Sequence, residues 1–293
     1  MTDALPPAAI DPAAAARRRR VVTAIVHVVL VAASILMLYP LLWMLSASVR
    51  PEAEIFSSTS LWPSAFSLDA YVRGWNGLQV SFGRFFWNSF VIAALSVAGN
   101  VVACSLAAYA FARLQFRGRN LWFAIMLGTL MIPYHVTLIP QYVLFLNLGW
   151  VDTFLPLVVP KFLALDAFFI FLMVQFFRGI PRELDEAAMM DGCSPWRIYW
   201  KIMLPLSTPV LATAAIFSFI WTWDDFFGPL IYLNDMRNFT AQLGLRSFVD
   251  SSSESDWSGL FAMSTLSLVP VFFFFLFFQR LLIEGIATTG MKR

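Results

Sequence analysis

Six long apolar runs dominate this chain, and any fold must place all of them. They are Val21–Leu45, Phe85–Ala112, Leu121–Leu146, Phe154–Phe177, Ser207–Tyr232 and Gly259–Ile283. Each supplies the roughly 20 residues a helix needs to cross a hydrocarbon core. A bilayer interior offers no water to exposed peptide groups, so spanning segments of this kind are helices, which satisfy their own backbone. The reading is an all-α, polytopic integral membrane protein with six transmembrane helices. Pro133, Pro140, Pro160 and Pro270 lie inside the runs and predict kinks against neighbouring helices. The first run is longer than the roughly 7–15-residue apolar core of a signal peptide, so it reads as a retained helix.

Composition supports this and narrows the chemistry. The chain is 59% hydrophobic and 13% charged, against about 25% charged in soluble domains. Cys104 and Cys193 have no metal or disulfide spacing and read as free thiols. No zinc motif, Gly-rich phosphate loop or Ser/His/Asp set is present, so no catalytic, cofactor or metal residue is assigned. His27 and His135 lie in or beside apolar runs and read as histidines with local partners. A net charge of +2 gives no reason to expect nucleic acid.

The distribution of Lys and Arg orients the helices. Arg17–Arg20, Arg113, Arg117, Arg119, Arg178, Arg182, Arg197, Lys201, Arg280, Lys292 and Arg293 put fourteen cations on the side of the N-terminus. Arg50, Arg73, Arg84, Arg237 and Arg246 put five on the other, with Lys161 inside the fourth run. The positive-inside rule then places both termini in the cytoplasm. Residues 1–16 are rich in Ala and Pro and read as disordered. The expected organisation is a basic cytoplasmic N-terminus (1–20), a six-helix membrane domain (21–283) containing a loop at 179–206, and a cytoplasmic tail (284–293).

That loop is a polar island between the fourth and fifth runs. Pro181 suits a first helical position, and Glu183, Asp185 and Glu186 fall where the helix dipole favours negative charge. Leu184, Ala187, Ala188 and Asp191 follow the i, i+3, i+4, i+7 rule and share one face. Gly192 supplies a left-handed stop. Ser194-Pro195 is an N-cap followed by Pro at N1, so a second short helix starts there and is expected to end before Pro205.

Glu186-Ala187-Ala188, three residues, Gly192, nine residues, then Ile202-Met203-Leu204-Pro205 resembles the EAA loop of ABC-importer permeases. A bare connector is the bland alternative; the full pattern, placed between two spans, is far more specific than Glu-Ala-Ala alone. The tail Gln279–Lys292, with Gly285 and Gly290, resembles the C-terminus of second-subunit permeases of maltose-type carbohydrate importers. Trp221-Thr222-Trp223-Asp224-Asp225-Phe226 with Pro229-Leu230, Gln175-Phe176-Phe177 ahead of Ile180-Pro181, and Asn88-Ser89 resemble the same family, which commonly carries Asn where this chain has Asp224. The resemblance implies a permease subunit in a prokaryotic inner membrane that is not itself an enzyme and needs no cofactor. It implies three partners: a homologous second permease, a cytoplasmic ATPase dimer and an extracytoplasmic solute-binding protein. Leu184, Glu186, Ala187, Ala188, Asp191, Gly192, Ile202, Leu204 and Pro205 would form the ATPase-coupling site. Leu184, Ala187 and Ala188 would sit in a groove on the ATPase, with Glu186 offered to a basic group. Glu284, Gly285 and Gly290 would bring the tail to the same partner, the two glycines allowing tight turns.

Ionisable groups within a membrane are functional candidates by default. Lys161 and Asp166 in the fourth run are five apart, imperfect neighbours on one helix. A structural pair, contact with the second permease and contact with solute all remain open. Asp224 and Asp225 in the fifth run lie beside Trp221 and Trp223. Aromatic faces with carboxylates suit sugar rings, and an interfacial aromatic belt is the alternative. The expected solute is a carbohydrate or a related polyol or glycerol phosphate. The competing function is an ion- or proton-coupled secondary transporter using Asp166, Asp224 and Asp225.

Overall fold

The computed structural model describes residues 12–57, 60–249 and 256–290, with the side chains of residues 12–16 and 18 and those from residue 280 onward excluded. The described residues contain helices and no strands. Four helical stretches are long and apolar enough to cross a membrane, and two bent helix pairs raise the number to as many as six.

The first helix, α1, runs Pro12–Ala47. It starts before Val21 because Ala13–Ala16 are strong helix formers, so residues 12–16, expected to be disordered, are helical; residues 1–11 lie outside the described part. Most of its apolar side chains are exposed within this chain, and near its C-terminal end Trp43 meets Phe261 edge-on at 5.2 Å. A short α2, Asp69–Asn76, follows. Arg73 in α2 donates to Ser258 Oγ at 2.8 Å.

The spine of the molecule is α3, Phe82–Arg113, started by Ser81, whose side chain accepts the Gly83 N–H. The third run breaks into α4, Arg119–Thr129, and α5, Tyr134–Asn147, bent by 99°. Pro133 sits at the bend in an extended conformation, and the residue before a proline is disfavoured in the α region. The fourth run is likewise interrupted. A short α6, Leu155–Val158, passes into a 3₁₀ turn, Val159–Leu163. Ala164 then takes a left-handed φ of 54°, and α7 runs Ala167–Gly179.

The polar loop forms α8, Glu183–Met190, and α9, Pro195–Ile198. From there the helix continues as a π-turn, Tyr199–Met203, and α10, Leu204–Leu206. Two boundaries differ from the sequence reading. Pro181 lies outside α8, with Arg182 as its N-cap. The second helix passes through Pro205 instead of ending before it, because the widened turn removes the carbonyl clash that proline makes in a regular α-helix; Leu204 N–H donates to Tyr199 O across this turn. After a 77° bend comes α11, Thr208–Trp223, then α12, Phe227–Tyr232, and α13, Ala241–Arg246. Asp224 and Asp225 therefore occupy a break between helices and not a continuous fifth helix. The last helix, α14, runs Trp257–Gly290 with Pro270 inside it. Its backbone stays helical past Gly285, where a turn was expected.

Candidate coupling site and translocation residues

The face of α3 toward the loop carries a polar group on nearly every turn. Asn100 donates to Ser218 Oγ at 2.9 Å. Ser105 Oγ and Tyr199 Oη are 2.8 Å apart, and Tyr109 donates to the Pro195 carbonyl at 3.0 Å. At the end of the helix, Arg113 Nη2 donates to the carbonyls of Phe177 (2.7 Å) and Ile180 (2.6 Å). Its Nη1 lies 3.2 Å from Asp185 Oδ2, with only 4% and 12% of the two side chains exposed. The guanidinium thus holds the C-terminal end of α7, where dipole and unpaired carbonyls favour a cation, together with the first turn of α8. Around these bonds packs one apolar cluster containing Cys104, Ala108, Tyr109, Met173, Phe177, Ala188, Ile198, Tyr199 and Met203.

This packing divides the expected coupling residues. Ala188 is buried inside the chain, so it is unavailable to a groove on a partner; the inward face of α8 is Asp185 with Ala188. Leu184, Glu186, Ala187 and Asp191 are exposed, as are Met189 and Met190, the latter 89%. Ile202 and Leu204 pack against the apolar cluster, while Pro205 is exposed. Gly192 has φ 76°. Its N–H donates to Met189 O at 3.0 Å and the Cys193 N–H to Ala188 O at 2.9 Å, the paired bonds of a Schellman helix end. Ser194 Oγ accepts the Arg197 N–H at 3.3 Å and starts α9. A recess of about 110 Å³ beside the loop is lined by Tyr109, Arg113, Arg182, Asp185, Glu186 and Met189, among others. Sequence reasoning missed Arg113 and Asp185. Arg113 counted only toward charge asymmetry, and no local pattern marks two partners so far apart in the chain.

The N-terminal end of α3 is fastened too. Asn88 Nδ2 donates to the carbonyls of Arg237 and Phe239, both at 2.9 Å, and Ser89 Oγ accepts the Ala241 N–H at 2.8 Å. A Cβ on Gly244 would collide with the Phe85 ring, so glycine is what lets α13 lie this close. Beside it, Asp152 Oδ1 accepts the N–H groups of Asn234 and Asp235, each at 2.9 Å. Asn238 Nδ2 adds a bond to the same oxygen at 3.2 Å. Burial pushes the Asp152 carboxyl up, but these hydrogen bonds outweigh it and hold the group below its ordinary range. Arg237, through side-chain and then backbone hydrogen bonds, brings Asp235 down to about 2.

Lys161 and Asp166 do meet, Nζ to Oδ2 at 3.0 Å. The left-handed Ala164 between them makes five residues of separation a close approach. Each keeps about a third of its side chain exposed. Trp221 and Trp223 go opposite ways. Trp221 is 50% exposed and lies against Phe168, Phe169 and Phe217. Trp223 is 2% exposed, and its Nε1 donates to Ser267 O at 3.0 Å, so it belongs to the core. Asp225 Oδ1 accepts the Gly228 N–H at 3.1 Å, which starts α12. Asp224 is exposed and 3.4 Å from Gln242 Nε2. Glu284, Gly285 and Gly290 lie on the α14 backbone, but their side-chain environment falls outside the described residues.

Apolar spans interrupted at charged breaks, with a two-helix polar loop fixed to the bundle, are the architecture of a polytopic permease. The family described as binding-protein-dependent transport system inner membrane component matches residues 99–287. The arabinooligosaccharides transport system permease protein AraQ of Halalkalibacterium halodurans is 35% identical over 265 residues, covering 88% of this chain and 92% of its own. The trehalose/maltose transport system permease protein MalG of Thermococcus litoralis is 32% identical over 263 residues, covering 89% and 94%. In fold, the chain is similar to one in the crystal structure of a bacterial ABC transporter involved in the import of the acidic polysaccharide alginate. The TM-score is 0.81 and the identity 24%, with 90% of this chain and 97% of that one covered. The chain belongs to the family of binding-protein-dependent transport system inner membrane components. It is a multi-pass inner-membrane permease subunit of an ABC importer and not itself an enzyme. An importer of this kind works with an ATPase and a solute-binding protein.

Proposed function

We propose that this permease carries a carbohydrate and takes its drive from the ATPase through the 183–206 loop, seated on the partner by Leu184, Glu186, Ala187, Asp191, Met189 and Met190. The observation that carries the reading is the exposure of that apolar-and-acidic face on a helix whose opposite face is locked to α3 and α7. A loop serving only to reverse the chain has no need of both. Gly192 shapes the turn, and Ile202, Leu204 and Pro205 continue it into α11.

The carbohydrate class rests on the relatives, which are named for arabinooligosaccharides and for trehalose and maltose. Trp221, Asp224, Asp225 and the Lys161–Asp166 pair are the solute-pathway candidates; Trp223 is a core residue. The exposed apolar length of α1 supports a second, homologous permease as neighbour. The charge asymmetry supports cytoplasmic termini, outward loops around residues 46–83 and 234–258 on the side of the binding protein, and a tail at Glu284–Gly290 on the side of the ATPase.

Reporter fusions at residue 16, Arg117, Ser194 and Arg293 are expected to read cytoplasm, and a fusion near Ser60 the outside. Glu186→Arg is expected to insert normally and lose ATPase capture. An outside signal at Ser194, or full capture by Glu186→Arg, would contradict the proposal.

A further inference from the structure

The Arg113 guanidinium, at the end of α3, joins the end of α7 to α8. On the reading that the loop docks the ATPase, we propose that Arg113 is a positioning residue for coupling: it forces displacement of α8 to become displacement of α3 and α7. Three observations carry this. First, the contacts are directional and buried: one nitrogen faces Asp185, and the other is shared by the Phe177 and Ile180 carbonyls. Sliding α8 past α3 breaks the ion pair and strands two charges in a desolvated place. Second, α3 is unbroken from Phe82 to Arg113, unlike the third, fourth and fifth runs, so a push at one end reaches the other. Third, its outer end is bonded through Asn88 and Ser89 to the 237–241 segment. The chain therefore has a continuous mechanical route from the loop to the outer surface, and Arg113 is its lower pin.

The remaining bonds between α3 and the loop are of a different kind. Tyr109 to Pro195 O and Ser105 to Tyr199 are single hydrogen bonds made by hydroxyls, and each ties α3 to α9 or the π-turn and not to α8. Arg113 Nε and Asp185 Oδ1 find no partner among the described residues, so the pair is joined through one nitrogen and one oxygen. Lysine supplies the same charge without the planar fork that serves carboxylate and carbonyls at once.

The test uses the full importer in proteoliposomes, with solute uptake and ATP hydrolysis followed in the same vesicles. Arg113→Ala and Asp185→Asn are expected to capture the ATPase and support hydrolysis, while solute imported per ATP falls about tenfold or more, as for the loss of one partner of a buried charge pair. Arg113→Lys should lie between these and the unsubstituted chain, and it keeps the test open if the alanine variant does not fold. Tyr109→Phe should change the ratio less than twofold. Arg113→Ala combined with Asp185→Asn should be no worse than Arg113→Ala alone, since Arg113→Ala already removes the ion pair. In a chain whose free thiols Cys104 and Cys193 are replaced by serine, spin labels on Met190→Cys and Trp122→Cys give a readout independent of transport: their distance distribution should broaden in Arg113→Ala. Unchanged uptake per ATP with an unchanged distance distribution in Arg113→Ala would overturn the proposal. So would strictly additive defects in the double variant. Glu186→Arg separates this from the docking reading. If that variant captures the ATPase, docking itself fails; if it loses capture while Arg113→Ala keeps full coupling, docking stands and the pin fails.

Discussion

Gly192 offers a quantitative test of the loop. It sits at φ 76° at the end of α8, with the two closing hydrogen bonds of 3.0 and 2.9 Å made by its own N–H and that of Cys193. A Cβ placed there meets nothing within 4 Å, so the substitution penalty inside this chain is the backbone term alone. That term is about 1–2 kcal/mol for an L-residue held left-handed. At 1.4 kcal/mol per tenfold, it shifts the closed-loop population by roughly 5- to 30-fold. If only the closed loop docks, ATPase affinity weakens by the same factor in Gly192→Ala. It should weaken more in Gly192→Val, whose branched Cβ tolerates the region least, and less in Gly192→Asn, which visits it readily. The Cβ faces open space, so Gly192→Asp should be less stable than Gly192→Asn only by the roughly 0.3–1 kcal/mol that the α8 C-terminus costs a carboxylate. Loss of capture in the Asp variant beyond that measured stability difference then reports the electrostatic field of the partner. Thermal unfolding in detergent and titrated ATPase capture measure the two quantities. Full-affinity capture by Gly192→Val would refute the requirement for a left-handed turn in the docked loop.

Three further outcomes are expected. Trp223→Ala should destabilise the permease by about 3–5 kcal/mol, the range for emptying a large aromatic site, because the ring is buried and bonded to Ser267 O. Trp221→Ala should leave the melting temperature nearly unchanged and lower uptake; the reverse pattern would undo the division between core and pathway. The Asp152–Asp235 knot should respond only to strong acid. A depressed folded-state pKa gives stabilisation that is complete above the ordinary value and lost as pH falls through the folded one, here between about 3.8 and about 2 for Asp235. Hydrogen exchange at residues 234–238 should stay slow at pH 5, and rapid exchange there would contradict the assignment. Deleting Gly285–Arg293 is expected to preserve insertion and impair uptake, and wild-type uptake by the deletion would remove the tail from the mechanism.

The apolar runs, the Gly192 turn and the Ser194 cap were legible because each depends on a local rule of spacing or conformation. The breaks were harder. Nothing local announces that Ala164, an ordinary alanine, turns left-handed and brings Lys161 to Asp166. Trp221 and Trp223 share a helix and a composition, and the packing of Phe86 and Phe219 with Ser267 on α14 decides which is core. The same holds for α8. Ala187 and Ala188 are equivalent in the sequence, yet the ends of α3 and α7 select Asp185 and Ala188 as the inward pair. Arg113 illustrates the limit best. Its function lies in three partners on two other segments, and spacing within its own helix carries no trace of them.

On the proposed reading, transport by this chain is driven by a separate ATPase reached through the 183–206 loop. The most direct measurement is solute uptake into proteoliposomes holding this permease, its partner permease and binding protein, with and without the ATPase and ATP. The account predicts uptake only when ATPase and ATP are both present, abolished together with ATPase capture by Glu186→Arg. Uptake without the ATPase, driven by an imposed proton or sodium gradient and lost in Asp166→Asn or Asp225→Asn, would contradict it and establish a secondary transporter instead.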